Sequence, residues 1–144
     1  MVQHAALKVA LVLCVTHAGA CLAANQKHIT PEQKPLRKEK TVVSGRKTKI
    51  DNYFSIQSDC SPNGYPEVRV SVRPQHGEAT TEQATKAAAY PAGNPRSRCN
   101  GRQLPATALF YTSASAYAGK DHFEVDVIFP TGGYRRAVYE VTVR

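Results

Sequence analysis

Asp121-His122-Phe123-Glu124-Val125-Asp126-Val127-Ile128-Phe129 sets Phe123, Val125, Val127 and Phe129 on one side and His122, Glu124 and Asp126 on the other. Strict alternation over nine residues is the period of a β-strand with one buried face. Pro130-Thr131-Gly132-Gly133 follows as a hairpin connection. Tyr134–Val143 then alternates again, with Ala137, Tyr139, Val141 and Val143 inward and Arg136, Glu140 and Thr142 outward.

The same period extends upstream. Tyr65–Arg73 places Val68, Val70 and Val72 opposite Glu67, Arg69, Ser71 and Arg73, and ends at the turn Pro74-Gln75-His76-Gly77. Ala106–Thr112 sets Leu109 and Tyr111 against Ala108 and Phe110, and Tyr53–Ser58 is a shorter strand. Five or six one-faced strands must bury their apolar sides against another sheet. The reading is an all-β chain, a small Ig-like β-sandwich spanning 50–144 with a disulfide-clamped loop. Thr80–Ala89, rich in Ala, Glu, Gln and Lys, is the exception and reads as a helical turn or two.

A chain of 144 residues with 42% hydrophobic and 21% charged residues is globular. That excludes collagen and a wholly disordered chain, and its length argues against a TIM barrel or a complete dinucleotide-binding enzyme. An apolar run from Ala5 to Val15, then Ala18-Gly19-Ala20-Cys21-Leu22-Ala23, reads as a secretory signal peptide over 1–23. Cys21 loosely matches a lipid-attachment box without its usual leucine. The expected location is the periplasm or the exterior of a bacterial cell, with no membrane span after cleavage.

Two cysteines then remain, Cys60 and Cys99, an even pair read as a disulfide in an exported protein. It would close a loop of about 40 residues, worth on the order of 4 kcal/mol. Residues 24–49 form a basic segment, with eight Lys or Arg against Glu32 and Glu39, whereas ten basic residues nearly balance nine acidic ones from Ile50 onward. It reads as an extended, flexible arm, adding a strand at most near Thr41-Val42-Val43, with Lys38, Lys40, Arg46, Lys47 and Lys49 offered to anionic surfaces. Nucleic acid is disfavoured, because no aromatic ladder interleaves these charges.

Phe110-Tyr111-Thr112, Ala116-Tyr117-Ala118-Gly119-Lys120-Asp121-His122-Phe123-Glu124-Val125, and Tyr139-Glu140-Val141-Thr142-Val143 together resemble bacterial Ig-like, cadherin-like repeat domains over residues 65–144. Pro74-Gln75-His76-Gly77 is similar to the P-x-x-G turn of those repeats. The chain departs from them at Ser113, where proline is usual, in the long excursion Ala79–Leu104, and in having a single copy. The resemblance implies a structural or adhesive module rather than an enzyme. Gly77, Gly119 and Asp121 are then turn-forming residues. Physically, Gly119 suits a backbone that larger residues avoid, and Asp121 can accept bonds from turn amides just ahead of its strand.

Tyr90 and Tyr117, with Arg96, Arg98 and Arg102, are residue types favoured at protein contacts. His76, His122 and Asp126 are the weak candidates for a surface zinc site, completed by Glu140. No metalloprotease, nucleophile-elbow or phosphate-loop motif is present. The expectation is therefore no cofactor and no catalysis: an exported module binding a protein or an acidic glycan of the cell envelope. The alternatives are a periplasmic inhibitor or accessory subunit of an enzyme, and a small metal-dependent hydrolase. An unpaired edge strand would further permit an edge-strand dimer.

Overall fold

A computed structural model describes residues 33–144. The expected signal peptide, Cys21 and the arm up to Glu32 lie outside the described residues. Seven strands run in chain order: β1 (Leu36–Val42), β2 (Thr48–Phe54), β3 (Glu67–Val72), β4 (Gly77–Ala87), β5 (Gln103–Ser113), β6 (Gly119–Ile128) and β7 (Tyr134–Val143). They form a four-stranded sheet in the order β1-β7-β6-β3 and a three-stranded sheet in the order β2-β5-β4. All pairings are antiparallel except β1 with β7, which is parallel.

The alternation seen in the sequence builds the core. Phe123, Val125 and Val127 of β6 and Ala137, Tyr139, Val141 and Val143 of β7 meet Leu109 and Tyr111 of β5 and Tyr53 of β2, all buried. Phe123 stacks between Tyr111 and Tyr139, with ring centroids 5.7 and 4.9 Å away. A second cluster lies on the opposite face of β5. Leu104, Ile56, Ala88, Cys60 and Cys99 pack there, with Phe54 and Tyr90 against them.

Four expectations are corrected. Thr80–Ala89 is strand as far as Ala87: β4 pairs residue for residue with β5 from Gly77↔Ser113 to Ala87↔Gln103. Eleven consecutive cross-strand pairs outweigh the weak helix preference of its Ala, Gln and Lys residues. The basic segment is not merely an extended arm either, since Leu36–Val42 runs beside β7 and Thr48–Lys49 opens β2. Its parallel partner, a hundred residues away, leaves no local signal. The strand expected at Tyr53–Ser58 begins at Thr48 and ends at Phe54, and Ile56 makes only an isolated bridge to Pro62. Val72 does not join Val68 and Val70 inside: a register shift between Val70 and Val72 turns it out, 41% exposed.

Candidate binding surface

The strands deliver the loops to two ends. At one end lie the β2–β3 connection (55–66), the β4–β5 connection (88–102) and the β6–β7 hairpin (129–133). At the other lie the connections 43–47, 73–76 and 114–118. β5 runs between them, so its eleven residues hold the ends about 35 Å apart.

The first end is built around the disulfide. Cys60 and Cys99, with Cα atoms 5.4 Å apart, join the 55–66 and 88–102 loops as the sequence led us to expect. Arg98 donates from its guanidinium to the Ser58 carbonyl, a second tie between the same loops. Within 88–102, the two sides are sewn together. Ala88 N–H donates to the Arg102 carbonyl (2.9 Å) and Gly101 N–H to the Ala88 carbonyl (3.0 Å). Tyr90 N–H donates to Asn100 Oδ1 (2.7 Å), and Asn100 Nδ2 returns a bond to the Tyr90 carbonyl (3.1 Å). The Tyr90 ring meets Phe54 edge-on at 6.0 Å. With its backbone satisfied internally, the loop holds Arg96, Arg98 and Arg102 exposed to solvent. No acidic residue occurs between Glu82 and Asp121 to neutralise them locally. Asp59, across the bridge, is held below the ordinary carboxylate range mainly by bonds from Ser61, with Arg102 a smaller contribution.

The second end is organised by a buried carboxylate. Asp121 accepts from Tyr111 Oη (2.7 Å), from the backbone amides of Gln75 (2.9 Å) and His76 (3.0 Å), and from the amide of His122 (2.8 Å). The expected role for Asp121, a turn just ahead of its own strand, is thereby corrected: it pins the Pro74–Gly77 turn of the neighbouring connection. Burial pushes its pKa up, but the Tyr111 hydroxyl and the three amides outweigh this and hold the carboxyl below its ordinary value. Burial, then the bond to Asp121, raises the Tyr111 phenol in turn. Gly77 starts β4 directly over Tyr111. A Cβ there would lie 2.4 Å from the Thr112 carbonyl oxygen and 2.8 Å from Tyr111 Oη. Gly119 has φ +149°, and its Cβ would meet Tyr117 Oη at 2.9 Å. Tyr117 stacks on His76, centroids 4.2 Å apart.

The expected aromatic and guanidinium patch is therefore divided. Tyr90 and the three arginines share the disulfide end, while Tyr117 sits at the carboxylate end. The basic residues of the arm also separate. Lys38 points inward from β1 and is ion-paired to Asp51, which also accepts from Tyr139 Oη (2.8 Å). Tyr139 Oη is bonded in turn to Tyr53 Oη. Burial outweighs these bonds at Tyr53 and pushes its phenol up to about 12. Lys47 pairs with Glu82 and lies 4.6 Å above the Phe110 ring centre. Lys40 is half-buried, and Arg46 and Lys49 remain exposed without an acidic partner among the described residues.

On the outer face of β6, His122 Nδ1 lies 3.1 Å from Glu140 and its Nε2 3.5 Å from Glu124, while Asp126 is taken by Arg136 (2.8 Å) and Tyr134 (2.6 Å). Among the described residues, no three His, Cys, Asp or Glu side chains gather to hold a metal ion. The set His76, His122 and Asp126 is thus not brought together. Tyr65 and Tyr134, 45% and 46% exposed, are surface aromatics that sequence reasoning did not single out. Both stand at strand boundaries, where alternation gives no inside or outside.

No family model and no curated protein sequence matches the chain. Among solved structures it is similar to Amebosin in solution, with a TM-score of 0.42 and 12% identity over 78% of this chain and 100% of that one. It is also similar to PbICP-C from the complex with falcipain-2, with a TM-score of 0.34 and 11% identity over 81% of this chain and 94% of that one. Likenesses of this size assign neither a family nor a partner. What stands is a small, mostly antiparallel all-β domain of two packed sheets with a Cys60–Cys99 disulfide.

Proposed function

We propose that the chain is an exported, non-catalytic Ig-like module that binds an acidic protein surface of the cell envelope through its disulfide-clamped loop. The observation that carries this reading is the preorganisation of 88–102. The disulfide, the Arg98–Ser58 bond and the Tyr90–Asn100 pair fix the loop before any partner arrives, so little ordering is left to oppose binding. The exposed arginines it carries, Arg96, Arg98 and, at its base, Arg102, are the residue type that makes forked contacts to carboxylates. The arm is the weaker candidate, because Lys38 and Lys47 are already ion-paired within the domain. A soluble acidic enzyme with this module as its inhibitor or accessory subunit would use the same surface.

The test is capture from envelope extract by immobilised protein, in wild-type, Arg96→Ala/Arg102→Ala and Lys40→Ala/Arg46→Ala/Lys49→Ala forms. A single partner retained by the wild type and the lysine-side variant, but lost by the loop variant, supports the loop. Retention by the loop variant with loss on the lysine side would overturn it.

A further inference from the structure

The four sheet edges are not treated alike. Open edges invite pairing with other chains, and proteins blunt them with inward charges, bulges, prolines or shortness. β1 turns Lys38 and Lys40 inward, on the same side as Tyr139 and Val141 of its partner. β2 has a register shift between Lys49 and Asp51, and β3 has one between Val70 and Val72 in a strand of six residues. β4 has none of these devices. Its eleven residues keep one unbroken register with β5, contain no proline, and carry their charges, Glu78, Glu82 and Lys86, on the face opposite Ala79, which packs on the main core. Among the described residues no strand pairs with its outer side.

From this asymmetry we propose that β4 is a dimerisation edge, on which a second copy of this chain adds its own β4 antiparallel about a twofold axis. The register that pairs all eleven residues is centred on Glu82, and it places Glu78 of each copy opposite Lys86 of the other. Thr80 then faces Ala84, and Thr81 faces Gln83, pairs without steric or charge conflict. The two central Glu82 carboxylates are each already neutralised by Lys47 of their own chain. Beside the centre of the strand lies a groove of about 350 Å³ bounded by Tyr65, Pro66, Thr81 and Gln83. The exposed Tyr65 ring at its rim is the apolar group that such an interface would cover. The result is a continuous six-stranded sheet in the order β2-β5-β4-β4-β5-β2. Each disulfide-clamped loop leaves from Ala88, just past the end of β4, and so flanks the interface, while the Glu78–Lys86 pairs that define the register lie within the strands themselves.

Sedimentation equilibrium of the purified protein tests it, with Glu78→Lys, Lys86→Glu and the double exchange. The expected result is a wild-type dimer whose Kd rises about tenfold or more in each single variant, where two like-charge pairs replace two attractive ones. The double exchange restores the opposite pairing and should return the Kd to near its starting value. Backbone amide exchange should slow along 77–87 as concentration rises. A monomer at about 100 µM, a dimer indifferent to both single variants, or β4 amides protected equally at all concentrations would each overturn the proposal. The last outcome would mean that another segment of the same chain already occupies the edge.

Discussion

The two ends of this domain are held by different chemistry. At one, a covalent bridge and an amide pair fasten long loops that carry the exposed arginines. At the other, a single buried carboxylate gathers a tyrosine and the amides of a neighbouring turn, and Gly77 leaves the tyrosine its space. The first end sets its bridge in a small cluster of Ile56, Ala88, Leu104, Phe54 and Tyr90 and leaves the arginines outside it. The second end is packed so tightly that one added methyl would collide with backbone. The contrast separates a bridged, arginine-bearing end from a tightly packed one, and each end should fail under its own conditions.

The deepest break should come from Asp121→Ala, which strands the Tyr111 hydroxyl and the Gln75 and His76 amides. We expect a loss of about 3 kcal/mol, read from urea unfolding. Titration should reach the same end. The native carboxyl binds its proton more weakly than the unfolded one, so its stabilisation is complete above the ordinary value of 3.8. It is then lost as pH falls through the lower native value. Asp51 behaves alike, burial being outweighed there by bonds from Lys38 and Tyr139. Stability that stayed flat from pH 5 to pH 2 would contradict this account. In the other direction, Tyr53, Tyr111 and Tyr139 have raised pKa values, chiefly through burial. Their contribution is present below pH 10 and should fade above it.

Removing the bridge with Cys60→Ser/Cys99→Ser should cost about 3 kcal/mol, with the loss localised. Amide exchange ought to accelerate across 88–102 more than across 74–77. Uniform acceleration would show that the two ends are not independent. Gly77→Ala should cost about 2 kcal/mol in a thermal melt, because the methyl meets the Thr112 carbonyl and the Tyr111 hydroxyl. The smallest effect belongs to Gly93→Ala in the clamped loop. Its φ of +84° is unfavourable for alanine, but nothing lies within 4 Å of the new methyl, so a loss of about 1 kcal/mol or less is expected.

Alternation made the inner strands legible: β5, β6 and β7 have one face of large apolar residues, and that face is where the core lies. The cysteine pair was legible because only two cysteines follow the apolar run at the N-terminus. β4 was not, because an edge strand facing solvent lacks the apolar stripe, and its alanines and glutamine favour helix when considered alone. β1 escaped for a related reason: Lys38 and Lys40 occupy its inward positions, so its pattern resembles a charged tether. The site residues were half legible. The arginines and Tyr90 of one loop were found together. Tyr117 was drawn in by composition although the length of β5 separates it from them. The bonds from Asp121 to a turn 45 residues earlier depend on sheet order, which no local pattern encodes.

The parallel pairing of β1 with β7 also bears on how the protein is made. Leu36 sits beside Ala137 and Val42 beside Val143, so the first described strand has no sheet partner until the last one has been synthesised. At about 5 to 20 residues per second, several seconds pass between the two on the ribosome. Throughout that interval β1 is an unpaired, lysine-rich segment. The sheet of β1, β7, β6 and β3 therefore cannot close until the final strand emerges, whereas β2, β5 and β4 have all their partners once Ser113 has been made.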